Sequence, residues 1–299
     1  MEPTLVTAPP ETASFRETLL TRRNFLRLAA CSTAGLAFYA GEVARHALEI
    51  LCLTVAIPHL PDSFVGMKIA QISDIHFEEY TEASFLSAVI RNVNALAPGL
   101  VVLTGDFVSN NPLPRHMSIR LGYHCAEILS GIECPHRYAI LGNHDALAGA
   151  PAVTDALQTH EIPVLANSSV PLERNGERIW LAGIRDALLQ HPDMAATLPK
   201  GRRADREPLI LLAHEPDFVD RILGSRVDLV LSGHTHGGQV RLPFMPPLML
   251  PELGMKYVHG LFRLSDGMQL YVNRGIGTVN LPFRFRCPPE ITLITLAQS

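Results

Sequence analysis

The sequence predicts an α/β fold in which two β-sheets are layered between helices, a four-layer αββα sandwich. Short runs rich in Ile, Val and Leu alternate with amphipathic segments from Glu49 onward. Two later segments carry the turn residues of β-hairpins. Buried strands that alternate with helices build sheets whose outer faces are covered by those helices. A chain of 299 residues is long enough for one large domain of this kind.

Five apolar runs are predicted as buried strands, and each ends in a polar cluster. Between the first two runs, Phe85, Val89 and Val93 recur at helical spacing, which predicts a helix over residues 81–96. Residues 215–223 predict a second helix. The predicted strands are residues 67–73, 100–104, 137–141, 209–213 and 229–232.

The second half of the chain contains two hairpin signals and one irregular segment. The pair Asn175-Gly176 separates two alternating runs, and residues 265–267 form a second turn signal. Residues 242–253 are apolar and rich in proline, which forbids a regular helix or a central strand. This loop either packs over the core as a lid or forms an apolar rim that contacts a lipid substrate or the membrane surface.

Charge and composition narrow the function classes. The formal net charge is −4, and the Lys and Arg residues form no long block, so we expect no nucleic-acid partner. The chain has 13 histidines, and imidazole is the commonest metal ligand among side chains. The five cysteines are scattered and lack a C-x-x-C spacing, so we predict small buried residues rather than a zinc ribbon or a disulfide framework.

The N-terminal segment resembles a twin-arginine export signal. Arg22-Arg23 is followed by Phe25 and Leu26, and an apolar stretch rich in small residues covers residues 28–40. We expect the twin-arginine translocation machinery as a partner and a location in the periplasm or at the extracytoplasmic face of the inner membrane. An amphipathic first helix that contains Arg-Arg is the alternative.

The leader defines the predicted domain organisation. Residues 1–45 form the signal, or a membrane anchor if it is not cleaved, and residues 46–299 form a single catalytic domain. Cys31 follows a short run that is similar to a lipidation motif, but Arg27 leaves almost no apolar region before it. Lipid attachment at Cys31 therefore remains an open alternative.

Five polar clusters follow the predicted strands and together supply metal ligands. An Asp-x-His or a Gly-Asp is common by chance, but here every cluster lies where an open α/β sheet places its chemistry. Their carboxylate, imidazole and amide groups suit Mn, Fe or Zn. In extended backbone, side chains two residues apart point to the same side, so each D-x-H or H-x-H pair could hold metal from one strand end. The clusters are D-I-H at 74–76, G-D at 105–106, G-N-H-D at 142–145, His214 and G-H-T-H at 233–236.

This ordered pattern resembles that of the calcineurin-like metallophosphoesterase family. The similarity extends to G-G-Q at residues 237–239, N-R-G-I-G at 273–277 and P-E-I at 289–291, which are similar to the exported bacterial branch of that family. It covers the chain from about Pro58 to the C-terminal strand. The resemblance implies the αββα fold of the metallophosphoesterases and a centre of two divalent metal ions.

Carried over to the matching positions, the resemblance implies two metal sites that share Asp106. His144 would contact the phosphoryl group or protonate the leaving group, and Asp145 would orient His144 and raise its pKa. Ser109 departs from the acidic or amide residue that many members carry, and Asn110 and Asn111 follow it. One metal would be held by Asp74, His76 and His236, and the other by Asn143, His214 and His234.

The implied activity is hydrolysis of a phosphoester by a hydroxide that bridges two metals. The leader and the apolar loop favour a phosphodiester or pyrophosphate bond on a membrane- or lipid-linked phosphate. A general phosphomonoesterase is the alternative, as is a metal-binding scaffold without turnover. Gln239 and Asn273 are left with two interpretations, contact with substrate or packing.

Overall fold

The computed structural model describes residues 21–77, 80–109 and 114–299. The chain separates into two compact units, Met1–Tyr39 and Ala40–Ser299. In the first unit, helix α1 (Arg22–Phe38) begins directly at the arginine pair and buries none of its side chains. The earlier part of the predicted leader, residues 1–20, lies outside the described residues. Among the helices that the structure describes, none is long and apolar enough to cross a membrane.

The second unit is built on two β-sheets. The first sheet has the strand order β1-β11-β2-β3-β4, and the second has the order β5-β6-β7-β8-β10-β9. Strands β2, β3 and β4 run parallel, as do β6, β7, β8 and β10. The strands are β1 (Glu49–Ile57), β2 (Lys68–Ile72), β3 (Leu100–Leu103), β4 (Arg137–Ala139), β5 (Ser168–Arg174), β6 (Glu177–Gly183), β7 (Leu209–Leu212), β8 (Leu229–Ser232), β9 (Gly260–Arg263), β10 (Gln269–Val272) and β11 (Glu290–Gln298).

The two sheets pack against each other and bury most of their apolar side chains. In β2, Ile69 faces the second sheet, whereas Ala70 and Ile72 face the helices on the outer side. Successive residues of a strand point to opposite faces, so a strand that is covered on both sides must be apolar throughout. This is why β3 (LVVL) and β7 (LILL) appear in the sequence as uninterrupted apolar runs.

The outer layers differ in regularity. Helices α2 (Ala83–Ala95), α3 (Arg115–Leu129) and α4 (Asn143–Thr159) cover the first sheet. The second sheet is covered by loops, by the short helix α5 (Met194–Thr197) and by a 3-10 turn at Pro216–Arg221. The two-sheet α/β sandwich is therefore confirmed, while its fourth layer contains little regular helix.

Most predicted elements are present, with one difference in type. All five predicted strands and the helix over residues 81–96 are found, and both turn signals join antiparallel strand pairs, β5–β6 and β9–β10. The predicted helix at residues 215–223 is instead the 3-10 turn. Its carboxylate Asp217 accepts hydrogen bonds from the backbone of residues 255–257, which ties this turn to a distant loop.

The cysteine prediction is correct for three of the five residues. Cys125, Cys134 and Cys287 are buried, whereas Cys31 and Cys52 are exposed, and all five are free thiols. Cys52 lies on β1, whose first four residues are exposed. No disulfide therefore joins the described part of the chain.

Candidate metal centre

The side chains predicted as metal ligands lie together at the carboxyl ends of strands from both sheets. Asp74 and Asp106 follow β2 and β3 of the first sheet, while His214 and His234 follow β7 and β8 of the second. Parallel strands bring their carboxyl ends to one edge, so residues far apart in sequence converge there. The predicted ligands gathered at this edge are Asp74, His76, Asp106, Asn143, His214, His234 and His236.

The backbone at these positions is not extended. Asp74 and His76 have φ angles of 51° and 46°, and Asp106, His234 and His236 also lie in the left-handed region. The expectation that D-x-H and H-x-H pairs converge because of strand alternation is therefore wrong. A left-handed conformation in a residue other than glycine costs on the order of 1–3 kcal/mol and is typical of functional sites.

One group of ligand atoms contains Asp74, His76 and His236. The Nε2 atoms of the two imidazoles face each other at 3.0 Å, and His236 Nε2 lies 3.6 Å from Asp74 Oδ1. All three side chains are buried. Three ligand atoms that face one another at these separations can surround a single cation.

A second group contains Asp106, His214 and His234, and Asp106 also reaches the first group. Its Oδ2 lies 3.2 Å from His214 Nε2 and 3.6 Å from His76 Nε2. Its Oδ1 accepts a hydrogen bond of 2.9 Å from the backbone N–H of His144. The carboxylate of Asp106 is thus the one predicted ligand that lies within 4 Å of imidazoles from both groups.

Each of the four histidines has its other ring nitrogen engaged by an oxygen atom, which fixes the orientation of the ring. Such partners are typical of metal-binding histidines because they set the tautomer and leave one lone pair free. The contacts are His76 Nδ1 with Ser109 Oγ at 2.8 Å, His214 Nδ1 with Thr104 O at 2.7 Å, His234 Nε2 with Glu252 O at 2.8 Å and His236 Nδ1 with Gly277 O at 3.3 Å.

Burial controls the protonation of these rings. It lowers the pKa of His76 to about 3 and that of His234 to about 4, so both rings are neutral near pH 7. Burial alone would also lower the pKa of His214, but the charge of Asp106 raises that pKa well above its ordinary value. A cation bound beside Asp106 would displace the proton from His214.

The residues fit a metal on the evidence of their unpaired atoms. Asn143 Oδ1 is buried and has no hydrogen-bond partner among the described residues. The same is true of His214 Nε2, whose approach to Asp106 lacks hydrogen-bond geometry. Buried polar atoms without partners are costly, and a cation would satisfy both. The combined nitrogen and oxygen set suits Mn, Fe or Zn.

The structure gives Asp145 a different role from the one that the sequence suggested. Its Oδ2 accepts hydrogen bonds from the backbone N–H groups of Asp106 and Gly142. Its Oδ1 accepts hydrogen bonds from those of Phe107 and Val108. Both oxygens are therefore occupied, and they fix the loop that carries Asp106. His144 Nδ1 has no hydrogen-bond partner in the described chain, so the prediction that Asp145 orients this ring is wrong.

Two of the glycines in the clusters are required because of crowding alone. A Cβ atom on Gly142 would overlap Asp106 Oδ1, and one on Gly233 would overlap Ser73 Oγ and Asp74 Oδ2. These positions do not have the left-handed conformation. These two glycines thus allow close approach of the backbone to the carboxylates, whereas Gly105, with a φ of 97°, combines crowding with a backbone conformation that favours glycine.

The two open interpretations of Gln239 and Asn273 are settled in favour of packing. Gln239 bonds to the backbone of Val279 and Leu281 through both ends of its amide. Asn273 is fully buried and bonds to Gly275 N and to the side chains of Glu290 and Thr292. Both residues therefore hold the loops around the centre.

Sequence reasoning missed Arg284, which is fully buried behind the centre. Its guanidinium donates hydrogen bonds to the carbonyl groups of Arg274, Gly275, Gly277 and Cys287. Gly277 O is also the partner of His236 Nδ1, so Arg284 holds the loop that orients a candidate ligand. A lone arginine in a loop gives no sequence signal for this role.

The family comparison agrees with this fold and this centre. The sequence profile of the family described as "Calcineurin-like phosphoesterase" matches residues 67–238, which include all seven candidate ligands. The chain belongs to this family. Its members typically bind divalent metals, and the chain is accordingly a metallophosphoesterase, a hydrolase of phosphoric esters.

Three curated proteins illustrate the range of relatives. The chain is 36% identical to the uncharacterized metallophosphoesterase YkuE of Bacillus subtilis, over 93% of this chain and 98% of the relative. It is 28% identical to the phosphodiesterase YaeI of Escherichia coli, over 93% and 100%. It is 29% identical to the UDP-2,3-diacylglucosamine pyrophosphatase LpxG of Chlamydia trachomatis, over 79% and 86%.

Proposed function

We propose that the chain is a two-metal phosphodiesterase or pyrophosphatase that acts on a membrane- or lipid-linked phosphate. The proposal of two metals is supported mainly by the position of Asp106. Two cations held side by side repel each other, and a shared carboxylate offsets that repulsion. Asp106 lies between two groups of ligand atoms, each of which contains further buried imidazoles.

The ligands divide between the two positions by their contacts. The facing Nε2 atoms of His76 and His236, with Asp74 beside them, support one position. The orphaned Asn143 Oδ1 and His214 Nε2 support the other, together with His234, whose Nδ1 is left free by the hydrogen bond at Nε2. Two cations bound there would activate a water molecule as the nucleophile and neutralise charge on the phosphoryl group.

His144 is the candidate for contact with the substrate. It is half-buried, whereas the candidate imidazole ligands are buried, and its ring lies 4.8 Å from that of His76 in an edge-on arrangement. The bond from its backbone N–H to Asp106 Oδ1 fixes its position relative to the centre. One ring nitrogen of His144 lies within 4.8 Å of ligand atoms of His76 and Asp106, so the ring is close enough to the centre to bind a phosphoryl oxygen or to give a proton to the leaving group.

Two observations support the substrate class. Relatives bear the names of a phosphodiesterase and of a pyrophosphatase for a diacylated nucleotide sugar. The apolar loop at residues 242–253 is connected to the centre through the bond between Glu252 O and His234. A lipid-bearing substrate would bring its phosphate to the ligands and its acyl chains to this loop.

We also propose that the protein is exported by the twin-arginine route. Support comes from Arg22-Arg23 and the apolar stretch that follows. Replacing both arginines by lysine should retain the protein in the cytoplasm, while replacing Arg27 by lysine should not. The measurement is the distribution of the full chain between cytoplasmic and exported fractions of a bacterium with this machinery. Equal export of the double variant would contradict the proposal.

The catalytic proposal is tested with a substrate panel on the full chain after chelation and after addition of Mn, Fe or Zn. We expect a chelator to abolish hydrolysis and one of the metals to restore it. Phosphodiester or pyrophosphate substrates with lipid arms should be cleaved at least tenfold more efficiently than soluble monoesters. An unchanged rate after chelation would contradict the metal mechanism, and preference for soluble monoesters would contradict the substrate class.

A further inference from the structure

Residues 242–255 extend the apolar loop of residues 242–253 by two residues and are called the apolar loop from here on. They expose an unusual concentration of large apolar side chains. Phe244 is fully exposed, and Met249 and Met255 are 65% and 70% exposed. Single exposed apolar residues are ordinary on a protein surface, but a contiguous group marks an interaction site. The exposed members of the group are Leu242, Phe244, Met245, Leu248, Met249 and Met255.

The backbone of the apolar loop is held at both ends. At the start, Arg241 N donates to Phe285 O, and a Cβ on Gly238 would contact Pro247. At the end, Leu253 O accepts from Asp217 N, and the Asp217 carboxylate accepts from Met255 N. The exposed side chains are therefore presented by an anchored segment.

We propose that the apolar loop is a docking surface for an anionic phospholipid membrane. Four of its residues are prolines, which have no backbone N–H group. An N–H group without a partner is strongly unfavourable in lipid, so the loss of these donors suits insertion into an apolar phase.

Two arginines at the border of the loop favour an anionic surface, and they outnumber the single exposed carboxylate inside the loop, that of Glu252. Arg241 and Arg286 flank it, because their segments are joined by the bond between Arg241 N and Phe285 O. Within the described part of the chain, neither arginine forms an ion pair. Apolar side chains beside unpaired cations are typical of segments that bind anionic lipid. A second copy of the chain, with net charge −4, offers no such attraction.

Docking of the loop depends on the proposed function in one respect only, which is its effect on hydrolysis. Glu252 O in the loop holds His234, so a docked loop would bring the candidate metal centre to the level of the lipid phosphates. Membrane binding itself requires no metal and no turnover. It can therefore be tested separately from hydrolysis.

The first experiment places a fluorescent reporter in the loop of the full chain. Trp180, the single tryptophan, is replaced by phenylalanine, and Phe244 by tryptophan. The matched control carries tryptophan in place of Val65. Val65 is 48% exposed and precedes the first residue of β2, whereas the candidate metal centre follows the last residue of that strand. With vesicles of phosphatidylcholine and phosphatidylglycerol that contain brominated lipid, we expect strong quenching at position 244 and none at position 65. Equal quenching at both positions, or none at position 244, would overturn the proposal.

The second experiment measures vesicle binding by sedimentation of chelator-treated protein. We expect the double variant Phe244→Ser and Met249→Ser to bind at least tenfold more weakly than the parent, and Val65→Ser to bind as the parent does. Helix α1 also exposes apolar side chains, but it is present in all three proteins. Equal binding of the double variant, together with no quenching at position 244 in the first experiment, would refute the docking role. Loss of a dimer in that variant, seen by sedimentation velocity, would assign the loop to a second copy instead.

The vesicle composition tests the charge argument, and a soluble substrate separates the two proposals. Binding should be at least tenfold weaker on pure phosphatidylcholine than on anionic vesicles, and equal binding would exclude the role of Arg241 and Arg286. Hydrolysis of a water-soluble diester is measured without vesicles. Hydrolysis without vesicle binding would overturn docking alone, whereas vesicle binding without metal-dependent hydrolysis would overturn the proposed function alone.

Discussion

Replacing Asp106 by asparagine is expected to lower kcat/KM by at least about 1000-fold, equivalent to roughly 4 kcal/mol. Asparagine preserves the volume and one carbonyl oxygen, which can still accept the N–H of His144. It removes the negative charge that lies between His76 and His214. Without that charge, two cations would face each other with no shared anion, so metal affinity should fall at both positions.

The measurement combines steady-state kinetics with metal titration of the Asp106→Asn protein. Asp205→Asn is the matched control, because Asp205 is an exposed aspartate paired only with the exposed Arg206. We expect the control to retain full activity and metal affinity. Full activity of Asp106→Asn would show that the charge of Asp106 is not shared between two metals.

Replacing His144 by alanine is expected to lower kcat by about 100- to 10,000-fold without loss of metal. The sequence assigns the ring no ligand role, but one of its nitrogens lies within 4.8 Å of ligand atoms of His76 and Asp106. If His144 gives a proton to the leaving group, the substitution should lower kcat more for a substrate with an alkoxide leaving group than for one with a nitrophenolate leaving group. The latter leaves without protonation.

The test compares alkyl and nitrophenyl diesters in the parent, in His144→Ala and in a control at His116. His116 is exposed on α3, so its alanine variant should match the parent. An equal loss of activity on both substrates would mean that His144 binds the phosphoryl group but does not protonate the leaving group. Loss of metal from His144→Ala would contradict its assignment and make it a ligand.

The parts of the fold that could be predicted are those in which the local sequence of a segment determines its secondary structure. The central strands are buried on both faces, so each is mostly apolar regardless of its neighbours. The hairpin at Asn175-Gly176 depends on two turn residues. By contrast, β1 is exposed over its first half, and it is a strand because it pairs with β11 at the far end of the chain. No local pattern reports such a partner.

The candidate site shows the same division. The candidate ligands could be named from the polar clusters, but the left-handed backbone of Asp74 and His76 could not be predicted. The true role of Asp145 depends on four N–H groups from two loops. Arg284 likewise acts on carbonyl groups that only the folded chain brings together. Contacts that orient the ligands are therefore tertiary features.

The most direct test of the central claim is the metal content of the active, purified chain, measured by elemental analysis beside its hydrolytic rate. The ligand arrangement around Asp106 predicts close to two transition-metal ions per chain, removed together with activity by a chelator. Full hydrolytic activity in protein that contains no bound transition ion would contradict it.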